Sequence, residues 1–459
     1  MNKYPKYKSS EVEWIGGIPE HWSFGKMKYV LSNNDGGVWG DDVLDEDEGT
    51  LVIRSTEITI DGNWNLSDVL RRKLTEGEKL KCRLYQGDIV ITKSSGSPSH
   101  IGKSVIVNNE IENLNCCYSN FVQRIRFKEF NPNLYHYILN SDVVRSQFKY
   151  LTTTTTGLGN LNGTTLGEIL LPFIPLSEQL QIVQFLDEET VLIDKLISTK
   201  ERKIELLKQQ RTSLINEVIT KGLNPDVKMK DSGVEWIGEI PEHYSVITLH
   251  KLLQTNKLEF QDGNHGGEHP NPEEFEDVGV PFIKPKDIQD GKVEWDTCDK
   301  LPIDRCQRFR IGFSFNNDVL LVNRGGSIGK VCFVNDFKED FPYFVINPQV
   351  TYLRGKNGLD SKFVFYITKS DIFRCGVDLI LGHGSTFPFL GLSNMGDFQM
   401  VLPPIQEQHQ IVEFLDTRTK EIDDLVSMEQ KKIDLLKEYR QSLISEVITG
   451  KIDVRTNPN

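Results

Sequence analysis

At 459 residues, with 38% hydrophobic and 26% charged side chains, the chain is long enough for two or three domains and reads as a soluble globular protein. Its polar, lysine-bearing start from Met1 to Glu13 lacks the apolar core of a signal peptide, and no later run is long enough to cross a bilayer. Seven cysteines without a Cys-x-x-Cys pair suit a reduced cytoplasm, and a net charge of −13 argues against a free-standing polyanion binder.

In chain order, the first feature is Glu13-Trp14-Ile15-Gly16-Gly17-Ile18-Pro19-Glu20-His21-Trp22, which returns 222 residues later as Glu235-Trp236-Ile237-Gly238-Glu239-Ile240-Pro241-Glu242-His243-Tyr244. A strand signal with an Ile-Gly-Lys turn follows (Gly87 to Val107; Asn317 to Val334), then a second strand (Phe121 to Phe127; Phe344 to Leu353). A helix signal ends in Tyr137-Ile138 and Tyr366-Ile367, and Gly/Thr/Ser-rich loops run from Thr152 to Thr165 and Gly382 to Gly396. A proline-marked turn (Pro172, Pro175; Pro403, Pro404) opens a long helix, and here Glu178 to Asp187 returns as Glu407 to Asp416 at an offset of 229. A period above 200 residues means a duplicated domain, not a solenoid. Each half is therefore an α+β globule followed by a helical arm. The divisions fall at 1–175, 176–222, 223–402 and 403–451.

The arms carry a heptad through Val183, Leu186, Thr190, Ile193, Ile197, Lys200, Ile204, Leu207, Arg211, Leu214 and Val218, matched by Val412, Leu415, Thr419, Ile422, Val426, Glu429, Ile433, Leu436, Arg440, Leu443 and Val447. Five sustained heptads predict a two-helix coiled coil. A parallel register would put Arg211 against Arg440. An antiparallel one puts Thr190 opposite Arg440, Arg211 opposite Thr419 and Lys200 opposite Glu429, with apolar residues facing each other elsewhere. A buried like-charge pair is costly, so the antiparallel arrangement wins. Such a pair is a rod of roughly 54 Å holding two globules apart about a pseudo-two-fold axis.

Two segments imitate catalytic motifs. Gly96 to Ser104 resembles a phosphate loop, but its spacing is one residue too long, and its counterpart Arg324 to Val331 lacks the magnesium-binding hydroxyl. A hairpin turn, able to touch phosphates, fits the flanking strands better. His265-Gly266-Gly267-Glu268-His269 has a metalloprotease spelling, yet paired glycines and Pro270 and Pro272 forbid the helix that chemistry needs, leaving a surface loop with no metal. No methyltransferase tetrapeptide, cofactor-binding glycine loop, helicase or clear nuclease motif occurs.

The Trp-Ile-Gly-x-Ile-Pro-x-His-aromatic segments, the Pro-x-x-Glu-Gln-x-x-Ile-Val-x-Phe-Leu-Asp arms and the endings Arg211 to Val218 and Arg440 to Val447 resemble the specificity subunits of type I restriction–modification systems. The resemblance implies two target recognition domains on an antiparallel helical spacer, each reading half of an asymmetric bipartite double-stranded DNA sequence. It also implies two adenine-N6 methyltransferase subunits docked on the helices, and restriction subunits beside them. S-adenosylmethionine, ATP and Mg would sit on those partners and not on this chain, which would have no catalytic activity and act in the cytoplasm. The competing reading, favoured by the acidity, is a coiled-coil scaffold without DNA affinity.

Groove edges and phosphates are met by Arg, Lys, Asn, Gln, Ser and Thr on loops. The candidates in the first half are Arg54, Ser55, Thr56, Lys93, Ser94, Ser95, Lys103, Thr154, Thr155, Thr156 and Asn160. In the second they are Lys284, Lys286, Arg324, Ser327, Lys330, His383, Ser385 and Thr386.

Overall fold

The computed structural model describes residues 2–12, 15–43, 48–128, 130–155, 158–289, 291–338, 340–381 and 389–455. They fall into two compact units, one formed by Met1–Lys200 with Lys431–Asn459, the other by Glu201–Gln430. Each unit contains one globule and a stretch of both long helices.

The central strands Ile89–Thr92 and Val319–Val322 are buried at every residue. That is why they read as unbroken apolar runs and not as alternation: both faces are covered. In the first unit, Ile89–Thr92 lies between Ser104–Ile106 and Val122–Phe127, with Leu31–Gly36 completing a four-stranded antiparallel sheet. In the second, Val319–Val322 lies between Val331–Phe333 and Val350–Gly355, with Leu258–Asp262 outermost. A second sheet in each unit contains one parallel pair, Cys117–Tyr118 on Thr50–Ile53 and Phe344–Ile346 on Val280–Ile283. These sheets differ at one edge. The fourth strand, Asp41–Asp42, joins Leu70–Lys73 in the first unit, whereas Phe313–Ser314 joins Phe344–Ile346 in the second.

Buried ion pairs lock both central sheets. Arg126 reaches Asp88 at 2.6 Å and Arg354 reaches Asp318 at 2.7 Å. Burial raises the Asp88 carboxyl above its ordinary range despite the arginine, so the pair positions the strands without being a strong net stabiliser.

After the sheets come two helices where sequence periodicity predicts one. Pro132–Asn140 is followed by Asp142–Leu151, and Ser361–Thr368 by Asp371–Leu381. The first of each pair is capped by a side chain, Asn131 onto Asn133 N and Asp360 onto Lys362 N and Phe363 N. The segment read as a Thr-rich loop contains the hairpin Thr153–Thr155 with Leu158–Asn160. It extends Ser94–Ser95 into a three-stranded sheet. β-branched threonines favour extended backbone, and this was the signal in that run.

The long helices run Leu176–Lys221 and Ile405–Ile448. Every heptad position of both is buried or half-buried. In the second unit Lys203 meets Glu429 at 2.9 Å and Arg211 meets Asp423 at 3.0 Å, so one helix rises as the other falls. In the first unit Arg440 meets Asp194 at 3.1 Å. Near the beginning of the first helix, Glu178 bonds Tyr4, whose neighbour Tyr7 donates to Gly450 O beyond the end of the second. The antiparallel direction is as the heptads require, but the two arginine layers are shifted by about one turn. Arg440 and Arg211 reach past Thr190 and Thr419 to Asp194 and Asp423, because a guanidinium gains more from a carboxylate than from a hydroxyl. The threonines turn to Tyr137 and Tyr366 instead. Glu429 is buried and accepts a hydrogen bond from Lys203 at 2.9 Å, and Lys200 is half-buried.

Both helices end on a left-handed glycine, Gly222 (φ 72°) and Gly450 (φ 70°). A Cβ there would strike Tyr244 Oη and Pro19 Cδ respectively, so the cap doubles as a close contact with the repeated Ile-Pro-x-His-aromatic segment of the same unit.

Candidate nucleic-acid interface

The repeated residues point inward. Glu178 accepts from Tyr4 Oη at 2.9 Å and Trp22 Nε1 at 3.2 Å and lies 2.5 Å from His21 Nε2. Glu407 accepts from Tyr244 Oη at 2.8 Å and lies 2.8 Å from His243 Nε2. Next to them, Gln179 accepts from Asn131 N and donates to Ile174 O, both at 2.8 Å; Gln408 accepts from Asp360 N and donates to Pro403 O, both at 2.9 Å. The Tyr137 hydroxyl donates to Asp187 at 2.6 Å and sits 3.1 Å from Thr190; burial and that carboxylate push its pKa up to about 12. Tyr366 repeats this with Asp416 at 2.7 Å and Thr419 at 3.4 Å. These groups tie each globule to a long helix and are not free to read a ligand.

The positions that differ between the halves lie elsewhere, and backbone register identifies them. Leu161 N donates to Lys93 O at 2.7 Å, and Leu390 N donates to Asn323 O at 2.8 Å. One residue on, Asn160 pairs across from Ser94, and Phe389 bridges to Arg324. The same place in the frame therefore presents different chemistry. In the first unit Ser94 Oγ donates to Asn160 Oδ1 at 2.9 Å, which leaves the exposed amide free to donate outward. In the second, the Arg324 guanidinium lies 4.1 Å over the Phe389 ring, both exposed, with no carboxylate on the arginine among the described residues. Lys93 is half-buried, with a pKa lowered by burial and no ion pair among the described residues. Its counterpart Asn323 is buried and donates to Pro348 O at 3.1 Å and Thr351 Oγ1 at 2.8 Å.

Several sequence candidates turn out to be fasteners. Lys103 is buried, its ammonium donating to Ser55 O at 2.8 Å and Ile58 O at 2.6 Å, and burial lowers its pKa. Arg54 grips the buried Glu57 at 2.7 Å, and Thr56 Oγ1 donates to the same carboxylate at 2.7 Å. Lys284 is held by Asp299 at 2.5 Å over the Phe275 ring. Ser95 Oγ accepts from Ser97 N in the hairpin turn. Lys286 and Lys330 are exposed, and Ser327 is half-buried in the turn that carries Lys330. Thr154 and Thr155 sit in the strand Thr153–Thr155, while Thr156, His383, Ser385 and Thr386 lie outside the described residues.

Sequence reasoning missed an aromatic patch beside Lys93. Phe121 O accepts from Lys93 N, and the Phe121 ring meets Trp39 edge-on at 5.8 Å, with Arg72 at 4.7 Å over the indole. The signal was a tryptophan between glycines, Gly37-Val38-Trp39-Gly40, hidden beside an acidic run. The two lookalike motifs are structural. Gly96 to Lys103 turns into the strand Ser104–Ile106, and His265 and His269 bond different groups, Asp262 and Pro270 O. Among the described residues no group of His, Cys, Asp or Glu is placed to hold a metal ion, and no helix is long and apolar enough to cross a membrane.

Comparison with known proteins agrees with this architecture. Residues 42–209 and 259–438 both match the family model described as the type I restriction modification DNA specificity domain. The chain is 24% identical to the type I restriction enzyme MjaVIII specificity subunit of Methanocaldococcus jannaschii, over 98% of this chain and 97% of that protein. It is 20% identical to the StySPI specificity subunit of Salmonella potsdam, over 95% of this chain and 90% of the relative. A solved structure reported for complex assembly and conformational transition of the type I R-M system superposes with a TM-score of 0.68 at 15% identity, covering 95% of this chain and 99% of that one. The last of these speaks for the fold.

Proposed function

Because the chain belongs to the type I restriction modification DNA specificity family, whose role is DNA recognition, we propose that each unit reads one half of an asymmetric bipartite target. One observation carries this reading: at a single register position, the first unit offers the Ser94–Asn160 pair and the second Arg324 over Phe389. An exposed amide is suited to an adenine edge and an unpaired guanidinium to a guanine edge, so equivalent places call for different bases.

Catalysis belongs to partners in this reading. The groups that recur in both halves are engaged in holding the fold, and none forms a nucleophile–base pair. Methyltransferase subunits bearing S-adenosylmethionine would transfer the methyl group to adenine, and restriction subunits using ATP and Mg would cut, all in the cytoplasm. Exposed apolar side chains on the long helices support docking of such partners: Leu192, Leu196 and Leu435 in the first unit, Leu206, Leu425 and Met428 in the second.

The test is a methylation assay with modified-base sequencing. The purified chain alone should transfer no methyl group, and adding the cognate methyltransferase should confer sequence-specific adenine methylation. Turnover by the single chain, or methylation without sequence preference in the complex, would overturn the proposal.

A further inference from the structure

The second unit contains a cleft of about 720 Å³ into which cations converge from separate elements. Lys286 comes from the turn Pro285–Asp287, Lys330 from the hairpin turn before Val331–Phe333, and Lys369 and Arg374 from either side of the start of helix Asp371–Leu381. Asp371 and Asp378 also line it, but Asp371 is engaged by Arg374 at 2.8 Å and by the Asn216 amide. Lys330 has no ion pair among the described residues. The nearest carboxylate oxygens to Lys286 Nζ are at 3.6 and 3.7 Å, longer than a good charge-assisted hydrogen bond. Lys369 is half-buried, and among the described residues its ammonium has one long bond, 3.3 Å to Val331 O.

Among the described residues, the equivalent place in the first unit is built differently. Thr56 stands where Lys286 does, and Asn140 replaces Lys369, donating to Ser104 O at 2.9 Å. Lys103, the counterpart of Lys330, spends its ammonium on backbone carbonyls. The cavity beside Asn140 is about 160 Å³. Resting on the DNA-reading role above, we propose that the cleft of the second unit binds a phosphate of the DNA backbone, a clamp the first unit lacks. Residues 235–400 carry a net charge of −7, so no general field draws DNA to this half. A local concentration of poorly paired cations is the device left to it. Lys330 ends the same hairpin turn that begins at Arg324, so a backbone held in the cleft continues the surface that meets bases.

Phosphate contacts are sequence-independent, so a labelled 30-base-pair mixed-sequence duplex serves as the probe, bound by the full chain between 50 and 200 mM salt. Replacing both exposed lysines, K286A/K330A, should reduce the slope of log affinity against log salt by about 2. Across that salt step the native chain should then lose roughly tenfold more affinity than the variant. K286R/K330R should restore the slope, and both variants should melt like the native chain. An unchanged slope would overturn the clamp while leaving DNA reading intact; no duplex binding by the native chain at 50 mM salt would overturn the reading it rests on. Pyrophosphate titration separates the other source of the same chemistry. If pyrophosphate binding is lost in K286A/K330A while the duplex slope stays, the cleft takes a free phosphate and the DNA assignment fails.

Discussion

The two units share a frame and differ on a face, and the difference falls along a physical line. Glu178 and Glu407, Gln179 and Gln408, Tyr137 and Tyr366, and Asp88 and Asp318 recur because each satisfies buried donors or acceptors that the fold cannot leave unpaired. Ser94 and Asn160 against Arg324 and Phe389 differ because nothing in the frame requires any one of them, and Lys330 is free to face water where its counterpart Lys103 is drawn inward to backbone carbonyls. Duplication preserved what the interior demands and released what solvent, or a ligand, can see.

The largest effect should come from breaking the frame, where the units are alike but not equal. Glu178 is buried beneath three partners; Glu407 is about one-third exposed beneath two. Glu178→Ala strands buried hydroxyl and indole donors and should cost about 3 kcal/mol. Glu407→Ala should cost about half of that, since water can replace part of what is lost. Hydrogen exchange followed separately in each unit would show it, and equal losses would mean that the burial difference carries no energetic weight.

Changes on the face should move specificity and leave stability alone. Arg324→Ala should relax the second half-site at one base by roughly 1–3 kcal/mol, with the first half-site unchanged in methylation sequencing. Lys103→Met should do the reverse, destabilising the first unit while the target stays as it was. A target altered by Lys103→Met would erase the distinction between fastener and reader.

A smaller effect separates the units by pH. His136 sits against Arg440 at the helix junction of the first unit, and burial, then that arginine, lowers its pKa to about 4. The second unit has Phe365 at the equivalent place. A histidine whose folded pKa is depressed takes up its proton more readily when unfolded, so stability is lost as pH falls from about 6.5 towards 4. The first unit should weaken across that window by on the order of 2 kcal/mol relative to His136→Phe, measured by urea unfolding at pH 7 and 4.5. The second unit should show no matching difference.

Much of this frame was legible in the sequence, for reasons that also explain what was not. Repeats and heptads are one-dimensional patterns, so the duplication, the long helices and their direction could be read from spacing alone. Lys103 and Lys330 occupy identical Ile-Gly-Lys turns, and no local rule says that one ammonium meets Ser55 and Ile58 carbonyls while the other faces water. Those carbonyls arrive from a turn about 45 residues away. The Trp39–Phe121 contact and the convergence of Lys286 with Lys369 are likewise products of tertiary closure. Nor does a heptad specify how far an arginine reaches: Arg211 and Arg440 bypass the facing threonines because aspartates one turn away offer full charge.

The smallest prediction concerns the seam. Glu429 occupies a heptad position and is buried, and Lys203, one group that pairs with it, keeps about half of its side chain in water. An ion pair with one solvated member gains little Coulomb energy, while the buried member still bears a desolvation cost. Glu429→Met should therefore be neutral or stabilising, because it replaces a desolvated charge with an apolar residue between apolar neighbours Val426 and Ile433. Glu429→Gln, which keeps the polarity but removes the charge, should lose no more than about 1 kcal/mol. In a double-mutant cycle with Lys203→Met, the coupling should be about 0.5–1 kcal/mol. Strong destabilisation by Glu429→Met would show that the carboxylate does more than tolerate burial. It would then be fixing the register of two helices whose other seam residues could slide by a heptad, the role a single polar residue performs in shorter coiled coils.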